Sequence, residues 1–203
     1  MNDLYAAVVH DVKNQLAELA LRLGKRGDAQ QEMAIAMNSA RRLSDMLLVH
    51  REATDLLWVN PDTVNPKDFL EIVAAEFRDL FAQLSIDIEA TRAPACAFFD
   101  DALVRLAFSN AVHNACRHAH SVVHLSAYQD DGMLVLEVSD DGAGFSAHVL
   151  HSGGQLPVAS SGSGTGLGLY LARKIAGLHQ LDGRYGHIEL SNVNGGRFRM
   201  FLP

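Results

Sequence analysis

The chain is poor in cysteine: Cys96 and Cys116 are the only two in 203 residues. They form no disulfide framework and have no metal-ligand spacing, which makes a reducing cytosol the default compartment. No apolar run approaches the ~18 residues of a membrane span, and the N-terminus lacks a signal-peptide pattern. A basic patch is missing as well. Lys and Arg are scattered through an acidic chain of net charge −7, which argues against nucleic acid or an anionic membrane as the main partner. There is no internal repeat. Apolar residues are plentiful, at 48%, enough for a packed core. These bounds predict a soluble intracellular protein made of one large domain or two small ones.

Residues 1–58 read as a helical hairpin. With about 100° of turn per residue, Val8, Val12, Leu16, Leu19 and Leu23 fall on one stripe of the first helix. His10 and Asn14 lie on the opposite side, one turn apart, so the helix holds a histidine out into solvent. The helix ends at Gly24, and GKRGD is a turn. Asp28 with Gln31 resembles a capping box for the second helix. That helix carries Met33, Met37, Ala40, Leu43 and Leu47 on one side and Ile35, Met46 and Val49 on another. Two apolar sides need two neighbours, which a pair of hairpins in a four-helix bundle supplies. The segment is therefore expected to form a homodimer.

VNPDTVNP, residues 59–66, reads as a linker by its prolines. Asn65 and Pro66 suit N-cap and N1 of a helix running through Phe81. Residues 67–203 then mix types. SIDIEA is a strand, DDALVRLAFSNAVHNACRHA a long helix, and VVHLSAYQ and MLVLEVSD two strands joined around Asp131-Gly132. A Gly/Ser-rich loop leads into the helix LGLYLARKIAGLHQ, and HIELSNV and RFRMFLP form a second hairpin around Asn194-Gly195. The expected class is α+β: the dimeric hairpin followed by an α/β sandwich, with helices on one face of a mixed sheet.

Three stretches carry chemistry. In the long helix, Asn110, Asn114 and Arg117 share a stripe, with His118 at its edge. Val104, Phe108, Ala111 and Ala115 make a separate apolar face that packs on the sheet. A lone helical asparagine is merely solvated, but this row of amide oxygens and cations also suits a metal and phosphates. DDGAGF, after the strand, is either a simple turn or a pocket floor. In the second reading Asp141 accepts hydrogen bonds, while Gly142 and Gly144 let a flat ligand approach. SGSGTGLGL, Ser161 to Leu169, is neither a P-loop nor G-x-G-x-x-G. It is a flexible linker or an anion site at a helix start, where free N–H groups and the helix dipole favour phosphate. The upstream HSGGQLPVASS is suited to be a lid. His113, His120 and His124 read as surface residues; only His120 and His124 are spaced i, i+4, and they fall where a helix gives way to a strand, so no shared zinc is expected.

In order and spacing, NAVHNACRHA, DDGAGF and GTGLGL resemble the N, G1 and G2 boxes of the sensor histidine kinase ATP-binding domain. That domain belongs to the GHKL (Bergerat-type) superfamily shared with gyrase, MutL and a heat-shock chaperone. HDVKNQL resembles the H box of the dimerisation and phosphotransfer domain, so the likeness covers nearly the whole chain. It implies ATP and Mg²⁺ as ligands. His10 would be the phosphoacceptor, Asp11 its polarising neighbour, and Asn14 the polar residue used in dephosphorylating the partner. Asn114 would bind Mg²⁺ with Asn110 in support, and Arg117 and His118 would face the phosphates. Asp141 would recognise the adenine amino group. Gly164, Thr165, Gly166, Leu167 and Gly168 would wrap the triphosphate.

Departures from the pattern are Asp11 where the H box has Glu, and Gln15 where it has Pro. No phenylalanine-bearing F box is found, since the segment after Phe145 is short and polar. The resemblance implies a homodimeric, ATP-dependent protein histidine kinase that phosphorylates itself on His10. Its partners would be a response-regulator receiver domain and, if no sensor is attached, a separate sensor protein. A phosphotransferase with decayed ATP boxes, an ATP-gated interaction module and an anti-sigma-type serine kinase are the competing readings.

Overall fold

The computed structural model describes residues 58–154 and 167–203, together with scattered residues between Val12 and Leu43. The chain divides into two units, Met1–Leu57 and Trp58–Pro203. In the first, Val12, Gln15, Leu16, Glu18, Leu19, Leu23, Glu32, Ile35, Ala36, Ser39 and Leu43 are all α-helical. Val12, Leu19 and Ile35 are 39%, 46% and 65% exposed. His10, Asp11 and Asn14 lie outside the described residues, as does most of the second helix's apolar pattern.

The second unit opens with a strand, β1 (Asp62–Val64), where the prolines suggested a linker. It pairs antiparallel with β3 (Ala97–Phe99), Asp62 opposite Phe99. The expected 59–66 linker is therefore corrected, because part of it has a ladder partner more than thirty residues downstream. Helix α1 (Pro66–Arg78) follows, with Asn65 Oδ1 accepting the N–H groups of Lys67 and Asp68 and proline at the first position. This cap and proline satisfy or remove donors that the first turn would leave orphaned. The helix stops at Arg78, before Phe81, and a turn leads to β2 (Ser85–Arg92).

Next come helix α2 (Asp101–His118), strands β4 (Val122–Asp130) and β5 (Met133–Asp140), and a short helix α3 (Ala147–Ser152). Helix α4 (Leu167–Leu178), a small ribbon of β6 (Gln180–Leu181) with β7 (Arg184–Tyr185), and strands β8 (His187–Asn192) and β9 (Gly196–Leu202) complete the chain. The main sheet has the order β2-β4-β5-β9-β8; only β2 and β4 run parallel. Asp131 and Gly132 both have positive φ, 45° and 77°, as the two-residue turn between β4 and β5 requires.

Period-two alternation divides the sheet's faces. Val123, Leu125, Leu136, Val138, Phe198 and Met200 are buried with residues of all three long helices in one core. Phe108 of α2 lies near its centre, with ring centroids 6.0 Å from Phe69 and 6.4 Å from Phe198. Burying a side chain of this kind contributes roughly 1.5–3 kcal/mol. Val135 and Phe201 belong to a smaller cluster with Met133 and Tyr128. The expected helix-covered mixed sheet is thus present in this unit. No helix among the described residues is long and apolar enough to cross a membrane.

Candidate functional site

An open pocket lies where α2, the end of β5, the start of α4 and β9 meet. Its walls are mostly apolar: Ala111, Ala115, Val138, Phe145, Leu169 and Phe198. Asn114, His118 and Asp140 supply the side-chain polar groups, and Gly144 and Gly196 complete the lining. A concave site of this character, apolar with a few polar groups, suits a flat organic ligand.

Asp140 is the aspartate of this pocket, and Asp141 is not. Asp140 ends β5 in line with Leu134, Leu136 and Val138, two residues apart. One carboxylate oxygen, Oδ1, accepts the N–H of Gly142 at 2.8 Å and the N–H of Gly196 at 3.3 Å. These two bonds fix the carboxylate at the pocket wall.

Asp141 instead anchors the connection between α2 and β4. Its carboxylate accepts from the N–H of His120 at 2.8 Å, the hydroxyl of Ser121 at 2.6 Å, the N–H of Ser121 at 3.0 Å and the N–H of Val122 at 3.3 Å. The Ser121 hydroxyl, with these backbone donors, holds its pKa well below the usual carboxylate range. A carboxylate engaged by four donors is a structural clasp. The expectation that Asp141 forms the pocket floor is therefore corrected in favour of Asp140.

The glycines of DDGAGF also serve the protein's own packing. A Cβ on Gly142 would come within 2.0 Å of the His118 carbonyl oxygen, so its bareness lets the last turn of α2 approach the loop. Gly144 has φ 76°, and a Cβ there would meet the Asn192 amide at 2.7 Å. Gly144 lines the pocket; Gly142 does not, which corrects its expected place beneath a ligand.

Along α2, Asn114 and His118 face the pocket one turn apart. Asn110 is buried at 6% exposure, and Gly168 at the start of α4 packs against it, with 3.5 Å between a built Cβ and the Asn110 Cβ. Arg117 is exposed and is not part of the lining. His113 is buried, not on the surface as expected, with its ring centroid 5.9 Å from that of Phe81 in an edge arrangement. His120 and His124 are exposed. Leu167 and Gly168 open the described part of α4, whereas Gly164, Thr165 and Gly166 lie outside the described residues. The start of the expected lid is helical instead: His151 and Ser152 close α3, and Arg173 of α4 donates to the Gly153 carbonyl at 3.1 Å.

The model of the histidine kinase-, DNA gyrase B- and HSP90-like ATPases matches residues 99–203. That is just over half the chain, and it contains every pocket residue. The chain belongs to this ATPase family. The nisin biosynthesis sensor protein NisK of Lactococcus lactis subsp. lactis is 27% identical over 97% of the chain and 47% of its own length. Sporulation kinase B of Bacillus subtilis is 24% identical over 88% of the chain and 45% of its own length. The chain thus spans about half the length of these relatives. Among solved structures, the Acinetobacter baumannii histidine kinase AdeS superposes with a TM-score of 0.66 at 18% identity, covering 94% of each chain. Asp140, Phe145, Leu169 and Gly196 are among the pocket's lining residues that sequence reasoning missed.

Proposed function

We propose that this chain is the catalytic core of an ATP-dependent protein histidine kinase, with ATP bound in the α2–β5–β9 pocket. The observation that carries the reading is Asp140: a carboxylate held by two backbone N–H groups beside apolar walls, with Asn114 and His118 on the facing helix. Its free acceptor capacity suits an exocyclic amino group, while Ala111, Ala115, Val138, Phe145 and Phe198 offer surface to a purine ring. Full-length ShkA in complex with AMPPNP matches this chain with a TM-score of 0.68 at 17% identity, over 99% of the chain and 45% of ShkA. That likeness supports an ATP-type ligand for the fold.

Magnesium fits the donor set. It binds through few protein oxygens and keeps its remaining positions for water and substrate phosphates. Asn114 supplies one such oxygen at the pocket, and no cluster of three His, Cys, Asp or Glu side chains occurs among the described residues to form a full protein cage. Mg²⁺ would neutralise phosphate charge as it develops. Asn114 would hold it, with Asn110 buttressing α2 one turn away, and Arg117, His118 and the Gly164–Gly168 segment would engage the phosphates.

His10 is the proposed acceptor. A neutral imidazole, with an ordinary pKa of ~6.5, is available at cytosolic pH. Asp11 would hold one ring N–H so that the other nitrogen attacks the γ-phosphorus. An N–P bond forms, the bond to the bridging oxygen breaks, and ADP leaves. The phosphoryl group would then pass to a receiver-domain aspartate of a response regulator, with Asn14 serving the reverse, dephosphorylating reaction. Apolar Val12, Leu19 and Ile35, left exposed on helical segments, support pairing of two hairpins in a cytoplasmic homodimer.

The test is incubation with γ-labelled ATP and Mg²⁺. Acid-labile, alkali-stable label should appear on the wild type and vanish in His10→Gln, while calorimetric ADP binding is retained. Label persisting in His10→Gln would move the acceptor elsewhere. Tight ATP binding with no label under any condition would favour a nucleotide-gated interaction module instead.

A further inference from the structure

The nucleotide pocket has a wall whose position is set from outside it. Phe145 leaves the end of DDGAGF half-buried, with no strand or helix neighbour of its own to pair with. Both of its backbone groups are nevertheless satisfied by one side chain. The N–H of Phe145 donates to Asn192 Oδ1 at 2.8 Å, and Asn192 Nδ2 donates to the Phe145 carbonyl at 2.9 Å. The primary amide thereby takes the place of a neighbouring peptide, and only an asparagine-type side chain offers this donor and acceptor together.

Three further features converge on the same contact. Gly144 makes room for it, since a Cβ there would overlap the Asn192 amide at 2.7 Å. Asn192 is the last residue of β8 and pairs across the hairpin with Gly196. Gly196 in turn donates to Asp140, and a Cβ at Gly196 would approach the Phe145 ring at 3.4 Å. The β8–β9 hairpin therefore sets two pocket groups together: Asp140 through the Gly196 N–H, and the Phe145 ring through the Asn192 amide.

We propose that Asn192 is a positioning residue for the purine, which clamps the Phe145 backbone and so fixes the Phe145 ring as one wall of the base pocket. This rests on the nucleotide reading above and adds a residue to it. Asn192 is exposed and is not part of the lining, so its effect on ligand is indirect, and its two side-chain hydrogen bonds both go to the Phe145 backbone.

The experiment uses the full chain and two probes, ADP with Mg²⁺ and adenosine without it, titrated calorimetrically against wild type, Asn192→Leu, Phe145→Ala and the double variant. Asn192→Leu should weaken both probes by the same factor, about three- to tenfold, since two neutral hydrogen bonds at a half-exposed site are lost. A common factor places the defect at the part both probes share, the base end, and the Phe145→Ala background separates it from a general loss of binding-competent protein, which would weaken that variant equally. In the Phe145→Ala background, adding Asn192→Leu should change affinity by less than twofold, because the backbone clamp is still there but the ring it positions is gone. Circular dichroism and a thermal melt check folding first. If Asn192→Leu does not fold, Asn192→Asp keeps the bond from the Phe145 N–H, loses the one to its carbonyl, and carries the same expectations. Wild-type affinity in a folded Asn192 variant, or an equal loss in the Phe145→Ala background, overturns the positioning role alone. A wild type that binds neither probe overturns the nucleotide reading and this inference with it.

Discussion

The backbone N–H of Asp100 donates to Nε2 of His179, 79 residues along the chain, at 3.1 Å. The other ring nitrogen, Nδ1, lies 2.8 Å from the carbonyl of Ile175, to which it donates. One nitrogen must accept and the other donate, so the fold selects a neutral imidazole of one tautomer. The pair joins the N-cap of α2 to the C-terminal end of α4, the two helices that carry the pocket's α side.

A pH dependence follows from that tautomer. Burial pushes the His179 pKa below its ordinary value, against smaller opposing effects of the Ile175 carbonyl and the Asp100 charge. Protonation therefore favours the unfolded chain. Stability linked to His179 is fully present above the ordinary imidazole pKa of ~6.5 and is lost as pH falls below it toward the folded value. Urea midpoints should drop between pH 7.5 and 5.5 by more in the wild type than in His179→Gln, whose amide can still accept from Asp100. Parallel pH slopes for the two proteins would contradict the neutral assignment.

The adjacent carboxylates should separate cleanly by substitution. Asp140→Asn should weaken ATP by about tenfold or more, since a charge-assisted hydrogen bond contributes roughly 1.5–3 kcal/mol. Asp141→Asn should lower the melting temperature while the folded protein keeps its ATP affinity. Its depressed pKa adds an acid limb: stability is present above the unfolded carboxyl value of ~3.9 and lost as pH falls through the lower folded value. Calorimetry beside a thermal melt reads both, and a loss of ATP binding confined to Asp141→Asn would reverse the assignment.

Gly142→Ala should be far more damaging than Gly183→Ala. At Gly142 a methyl would meet the His118 carbonyl at 2.0 Å, a backbone contact that only a shift of α2 or the loop relieves. Gly183 has φ 78° with nothing within 4 Å, so alanine there bears only the left-handed penalty of roughly 1–2 kcal/mol. Overpacking costs roughly 1–3 kcal/mol and occasionally more, and a rigid backbone contact puts Gly142→Ala at the upper end. Because α2 carries Asn114 and His118, the residual folded Gly142→Ala protein should also bind ATP weakly. Equal melting temperatures for the two variants would show that the close approach is not rigid.

Much of the second unit was legible in residue pattern. The Asn65-Pro66 helix start, the Asp131-Gly132 turn and the long α2 all stand where caps, turn chemistry and periodicity put them. The misassigned aspartate was legible too. Leu134, Leu136, Val138 and Asp140 alternate along β5 on the core side, and extending that period by one step selects Asp140 over Asp141. His113 and β1 were harder to read. A histidine at a helix position next to Asn114 has the composition of a surface site, and only the approach of Phe77 and Phe81 from α1 and its following turn makes that position interior. A three-residue strand between prolines has too few positions to show alternation, and its partner lies far along the chain.

That short strand determines where the ATP-binding unit can be cut. Asn60, only three residues past the division between the units, donates its N–H to Asp100 Oδ2 at 2.9 Å, the same carboxylate that caps α2 through Leu103. A fragment begun at Lys67, as proline content would advise, discards the Asn65 cap, the partner of β3 and one of the Asp100 donors in a single stroke. The first residues of this unit are thus part of the frame that holds α2, the helix bearing Asn114.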